Sequence, residues 1–273
     1  MKIGVVLSGG GARCFAHIGS LKALEEAKYE VCALAGSSSG AVIGALYAAG
    51  NSADAIYEIA KSIDYTSFLT FVATGGLINQ KGLEEMLAEH VPETFEELKI
   101  PLATTAVDIQ SAELLVMKSG TLIPAATASN SFPGLFGPLE YEGRYLMDGG
   151  ILNNFPVDII RSMTTQPVFA FDVTLSAKEP LDLGVSTDNP GFFQRISAAI
   201  KGESLYPPLM IDILMKAYTI TQKRLIQIVT SLYPPDHHIR PPLPEDLGIE
   251  SFGRLEEAYE TGYFATQNYL RQL

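Results

Sequence analysis

Cysteine is nearly absent from this chain: Cys14 and Cys32 are the 2 among 273 residues. Two cysteines cannot build the disulfide framework of a small secreted domain. Histidine is also scarce, with 4 residues, and none falls in an H-E-x-x-H pattern. C-x-x-C and clustered ligand spacings are missing as well, so no structural or catalytic metal is expected. Cations are few, 19 Lys and Arg against 31 Asp and Glu, for a net charge of −12. That excess of negative charge argues against nucleic acid and against electrostatic capture by anionic lipid headgroups. No internal repeat, low-complexity tract or linker divides the chain, which reads as one domain over 1–273. The stretch from Val31 to Ala53 carries no charge, but its Gly-Ser-Ser-Ser-Gly interruption argues against a membrane span. The apolar run after Lys2 is too short for a secretory signal and is broken at once by glycines. A cytoplasmic location, with peripheral contact at a membrane as a variant, is the default expectation.

What is present is an alternation of strand-like and helix-like segments, which favours a mostly parallel sheet. Apolar residues make up 47% of the chain, as buried parallel strands require. Strands are predicted near 3–8, 31–36, 101–108, 113–118, 144–148, 167–173 and 237–240. Helices are predicted near 14–27, 39–50, 52–62, 80–89, 121–129, 156–162, 190–201, 208–231 and 252–271.

Three small-residue motifs punctuate this pattern. Gly36-Ser37-Ser38-Ser39-Gly40 lies between an apolar run and a helix-like run. In that strand–turn–helix context a G-x-S-x-G sequence is a nucleophile elbow, with Ser38 strained and its hydroxyl raised over the sheet edge. Upstream, Ser8-Gly9-Gly10-Gly11-Ala12-Arg13 joins the first strand to the first helix. Consecutive glycines there bare backbone N–H groups that can hold an anion, either a phosphate or the oxyanion of an attacked ester. Phosphate fits poorly. Cys14 occupies the third glycine position of a dinucleotide fingerprint, the second strand ends in Ala35-Gly36 rather than an acid, and no G-x-x-x-x-G-K-[ST] occurs. Downstream, Asp148-Gly149-Gly150 follows a strand-like run. Alone it reads as a turn; beside the other two motifs Asp148 becomes a candidate base.

Taken together, these motifs resemble the patatin-like phospholipase family, in particular its short bacterial members. Gly9 to Cys14 resembles that family's G-G-G-x-[KR]-G turn, Gly36 to Gly40 its G-x-S-x-G, and Asp148 to Gly150 its D-G-[GA]. The runs Thr94–Leu102, Ala128–Phe136, Asn154–Val157 and Ile239–Pro241 are similar to further family segments. The resemblance covers most of the chain and is least distinctive over 178–230. It implies a three-layer α/β/α sandwich around a mostly parallel sheet. It also implies ester hydrolysis without a cofactor: Ser38 attacks, Asp148 takes its proton, and the N–H groups of Gly10 and Gly11 hold the oxyanion. Gly9, Arg13, Gly36, Gly40, Gly149 and Gly150 support the motifs. The partners implied are a lipid or acyl ester, transient contact with a membrane surface and, as an option, a homodimer. Where the family usually has glycine, this chain has Cys14, which cannot take a positive φ cheaply.

Two other readings stay open at this level. One is a Ser-His-Asp triad, since Ser38, Asp148 and His237 or His238 follow in α/β-hydrolase order. Only one βα unit precedes Ser38, however, and the histidines sit in the last short strand. The other is a binding or signalling module whose site is impaired at Cys14, where thiol chemistry is a lesser option. Asp64 to Gln80 is read as a helix end and turn or as a cover over the site. The apolar stripe of Leu209 to Leu232 is assigned to core packing, with a dimer contact or a lipid-facing surface as alternatives.

Overall fold

A computed structural model describes residues 1–65, 80–175 and 208–273, with side chains of the last segment described from 213. The predicted helix at 190–201 and most of the 64–80 segment lie outside these residues. The first unit is β1 (Lys2–Leu7), a 3-10 turn (Gly11–Cys14), α1 (Phe15–Glu26), β2 (Glu30–Ser37) and α2 (Ser39–Ala48). Next come α3 (Ala53–Ser62), α4 (Lys81–His90), β3 (Leu102–Asp108), β4 (Glu113–Met117) and α5 (Leu122–Ser129). The chain continues through β5 (Leu139–Tyr141), β6 (Arg144–Asp148), α6 (Gly150–Asn153), α7 (Val157–Met163) and β7 (Val168–Phe171). It closes with α8 (Pro208–Leu232), β8 (His237–Ile239) and α9 (Leu255–Leu270).

The strands form one sheet in the order β5-β6-β3-β2-β1-β7-β8, with β4 added on β3. β3, β2, β1, β7 and β8 run parallel to one another, whereas β4 and β6 pair antiparallel with β3, and β5 antiparallel with β6. Alternate residues face opposite sides of a strand, and the core splits accordingly. Ile3, Val5, Leu7, Leu34, Phe169 and Phe171 pack on one face in a cluster with α1, α2, α5 and α9. Val6, Ala33, Ala35, Ala103 and Ala170 pack on the other with Val157, Ile160 and Ile226 of α7 and α8. Two separate cores on one sheet make a three-layer sandwich, as the family resemblance implies.

One strand escapes the sequence reading. β5 is too short for a two-residue period to register. It forms a hairpin with β6 through Glu142 (φ 50°) and Gly143 (φ 76°). Two consecutive positive φ values are those of the tight turn that matches strand twist.

The reading of α8 needs correction. Core packing accounts for its inner face, where Gln222 and Ile226 are buried and Met215, Tyr218, Leu225 and Val229 are half-buried. Ile213, Leu214, Ile220, Ile228 and Leu232 are instead exposed. With 3.6 residues per turn these five lie on one side. The helix is apolar on both faces, so periodicity alone cannot single out the inward one.

Candidate active site

β2 ends at Ser37 and α2 begins at Ser39, so Ser38 turns the corner alone. Its φ of 53° and ψ of −133° are the strained geometry expected of an elbow. The turn closes because Gly36 and Gly40 carry no side chain. A Cβ on Gly36 would meet the backbone of Gly40 and Ala41, and one on Gly40 the carbonyls of Leu7 and Ser8. The Ser129 hydroxyl accepts the N–H of Ser38 at 3.0 Å and fixes the elbow from α5.

The Ser38 hydroxyl donates to Asp148 Oδ2 at 2.6 Å. The other carboxylate oxygen, Oδ1, accepts the N–H of Gly150 at 2.7 Å, and the Asp148 N–H donates to the Ser131 carbonyl. Asp148 has no exposed surface. Burial pushes its carboxyl up to about 7, although the Ser38 and Gly150 hydrogen bonds pull the other way. A carboxyl tuned near neutrality is suited to taking a proton at physiological pH, which an ordinary aspartate does poorly. Gly149 packs against Thr105 with no space for a Cβ.

Beside the dyad lies the glycine turn. Gly9 donates to the Asn154 carbonyl at 3.3 Å and accepts from Asn154 Nδ2 at 3.4 Å. This clamp ties the turn to the segment that follows Asp148. Gly11 has φ 57° and packs against Ile249. The N–H of Gly10 does not point into free space: it donates to Ser39 Oγ at 3.1 Å. The N–H of Gly11 has no acceptor among the described residues.

Arg13 is drawn away from the cavity. It is buried, with Nε donating to the Val173 carbonyl at 2.7 Å and Nη1 to those of Leu247 at 2.6 Å and Pro244 at 3.3 Å. It therefore fastens the turn to the end of β7 and to the loop before α9. Cys14 sits at φ −61° and ψ −17°, ordinary helical values, so the missing glycine costs the backbone nothing. Its thiol is buried and pushed up to about 12 by desolvation, which counts against thiolate chemistry there.

The structure does not bring the histidines to Ser38. His237 and His238 lie on β8, paired with Phe169 and Ala170 at the sheet edge. Three strand spacings separate β8 from β2, about 14 Å at the usual interval. His237 stacks on Phe169, and His238 approaches Asp172 at 3.7 Å. The triad reading is thereby corrected: strand order decides proximity, and chain order does not report it. His17 is fully buried and contacts the Ser8 carbonyl at 2.8 Å. No group of three or more metal-ligating side chains occurs among the described residues.

A cavity of about 350 Å³ opens at Ser38. Gly9, Gly10, Gly11 and Ser39 border it near the nucleophile. Val42, Ile43 and Leu46 of α2, Ile56 and Ile59 of α3, and Leu83 and Met86 of α4 make an apolar wall. From Ser38 to Leu46 this wall runs about 12 Å at 1.5 Å per residue. Tyr65 lines the cavity also; residues 66–79 of the segment read as a helix end and turn or as a cover lie outside the described ones. Across from α2, Met215, Tyr218 and Gln222 of α8 complete the lining. Gln222 donates to the Gly150 carbonyl, while its Oε1 has no partner among the described residues.

Ser39, Ser129, Asn154, Tyr218 and Gln222 are the site residues that sequence reading misses. Ser39 stands inside the elbow motif, and Ser129 and Asn154 lie in the runs Ala128–Phe136 and Asn154–Val157 that resemble family segments, so a usable signal existed for these three. Tyr218 and Gln222 arrive from α8, whose apolar stripe points to packing and not to the site.

Comparison with known proteins places the chain. The family model for patatin-like phospholipase matches residues 5–161. Patatin-like phospholipase domain-containing protein 6 of Homo sapiens is 32% identical over 278 aligned residues, covering 96% of this chain and 20% of that protein. Lysophospholipase nte1 of Neurospora crassa is 30% identical over 286, covering 99% of this chain and 18% of its own length. The chain thus spans about a fifth of these relatives. Among solved structures, VipD from Legionella pneumophila superposes with a TM-score of 0.60 at 15% identity, covering 99% of this chain and 67% of that one. This last likeness is one of fold.

Proposed function

Because the chain belongs to the patatin-like phospholipase family, we propose that it hydrolyses carboxylic esters of lipids through a Ser38–Asp148 dyad. The observation that carries this reading is the 2.6 Å hydrogen bond from a strained serine hydroxyl to a buried carboxylate, at the mouth of an apolar cavity. Asp148 takes the proton as Ser38 Oγ attacks the ester carbonyl, and the carbonyl electron pair becomes an oxyanion beside Gly9–Gly11. Asp148 then returns the proton to the leaving alcohol, and water releases the acyl group from Ser38. A preorganised donor at the oxyanion is worth about 3 kcal/mol in a site closed to water.

The apolar wall along α2 suits one acyl chain, so the substrate class is a phospholipid, a lysophospholipid or a simple acyl ester. The reading treats 1–273 as one such domain without a cofactor, in the cytoplasm or peripheral at a membrane. No helix among the described residues is long and apolar enough to cross a membrane. The outer face of α8 is the surface at which a membrane or a second copy would be met. The impaired-module alternative rested on Cys14, and that residue's ordinary helical backbone counts against it.

The test is hydrolysis of p-nitrophenyl esters of increasing chain length by wild type and Ser38→Ala in parallel. Ser38-dependent turnover is expected. A folded wild type that neither turns over nor labels at Ser38 with a fluorophosphonate would overturn the reading.

A further inference from the structure

The N–H of Gly10, assigned by family resemblance to the oxyanion, is already bonded to Ser39 Oγ at 3.1 Å. Ser39 is the first residue of α2, is buried and borders the cavity beside Ser38. A serine hydroxyl offers two acceptor sites and one rotatable donor. Gly10 occupies one acceptor site. With that site taken and Ser39 on the cavity border, its rotatable O–H is the group left to turn toward the cavity.

We propose that the Ser39 hydroxyl is itself a donor to the oxyanion. It stands where the bare N–H of Gly10 was expected, with the N–H of Gly11 as its companion. Gly10 N–H is a positioning group that orients and polarises it; donors chained in this way strengthen one another. No proton leaves Ser39 in the step. As Ser38 Oγ bonds to the carbonyl carbon, the displaced electron pair settles on oxygen and is met by Ser39 O–H. This inference rests on the ester-hydrolase reading.

The experiment compares wild type, Ser39→Ala and Ser39→Thr on one p-nitrophenyl ester, after a thermal melt confirms that each folds. Ser39→Ala is expected to lose about a hundredfold in kcat with KM nearly unchanged, the signature of an interaction made mainly in the transition state. Ser39→Thr, which keeps the hydroxyl, retains most of the rate. A trifluoromethyl ketone that forms a hemiketal oxyanion on Ser38 should weaken on Ser39→Ala by the same factor, while a product fatty acid binds equally; a merely structural role would not separate the two. Unchanged kcat in Ser39→Ala overturns the proposal. So does a gain, which would mean that Ser39 blocks the N–H of Gly10. If wild type shows no Ser38-dependent turnover, the hydrolase reading fails first and takes this inference with it.

Discussion

Ser37 and Asp148 pair with consecutive residues on the same edge of β3: Ser37 with Thr105, Asp148 with Ala106. The other edge is taken by β4, which pairs with Thr104 through Asp108. β2 and β6 must therefore share one edge, end to end and running in opposite directions. β2 stops where β6 stops, so the elbow after Ser37 and the carboxylate that ends β6 are abutted by the sheet itself. Neither strand pairs with the other, and the dyad is the contact made across their junction.

Both members of the dyad are expected to be indispensable. Ser38→Ala and Asp148→Asn should each lower kcat by at least a thousandfold while leaving the thermal midpoint intact or higher, with loss of rate as in other nucleophile–base pairs. Ester turnover and calorimetry on the same preparations test this. An active Asp148→Asn would sink the dyad.

Asp148 also sets a pH dependence of opposite sign for activity and stability. Its carboxyl is raised to about 7 from an ordinary value of 3.8. Activity needs the ionised base, so kcat should rise with pH through an inflection near 7 and then level off. Between about pH 4 and 7 the unfolded chain has lost this proton while the folded chain still holds it. Stability therefore falls as pH rises through that window, by roughly 4 kcal/mol at most. Asp148→Asn should flatten this part of the profile, read from denaturation midpoints at several pH values.

Arg13 is expected to act on stability. Its guanidinium spans carbonyls from two separate segments, a geometry that an ammonium cannot reproduce. Arg13→Lys should cost about 2–4 kcal/mol, from lost charge-assisted bonds and buried carbonyls left without donors. Urea titration checks the figure, and an unchanged midpoint would contradict the assignment.

Chain-length preference should respond to Val42, one helical turn beyond Ser38 on the cavity wall. Val42→Phe narrows the route past the nucleophile. It should lower turnover of a dodecanoyl ester relative to a butanoyl ester by about tenfold, the discrimination typical of a small change in apolar pocket size. Equal loss on both esters would place the acyl chain elsewhere.

The histidines of β8 offer a contrast. His237→Ala and His238→Ala should each retain full esterase activity, since strand order puts them far from Ser38. A drop of a thousandfold in either would revive the triad.

The chain by itself determined the strands and helices within the described residues apart from β5 and α6, and with them the elbow at Ser38, the glycine turn and Asp148. Each of these rests on local backbone demands. Gly36 and Gly40 are needed because the turn leaves no space for a Cβ, and a strand that ends in small residues before a helix marks itself within a few positions. Tertiary structure alone decided the rest. It put Asp148, rather than a histidine, against Ser38, because neighbours across a strand edge are set by sheet order. It turned Arg13 toward three carbonyls and gave the N–H of Gly10 to Ser39, because a polar group's partner is chosen by a few tenths of an ångström that no spacing encodes. It also chose which face of α8 looks inward, because a helix apolar on both sides reveals its direction only when something packs against it.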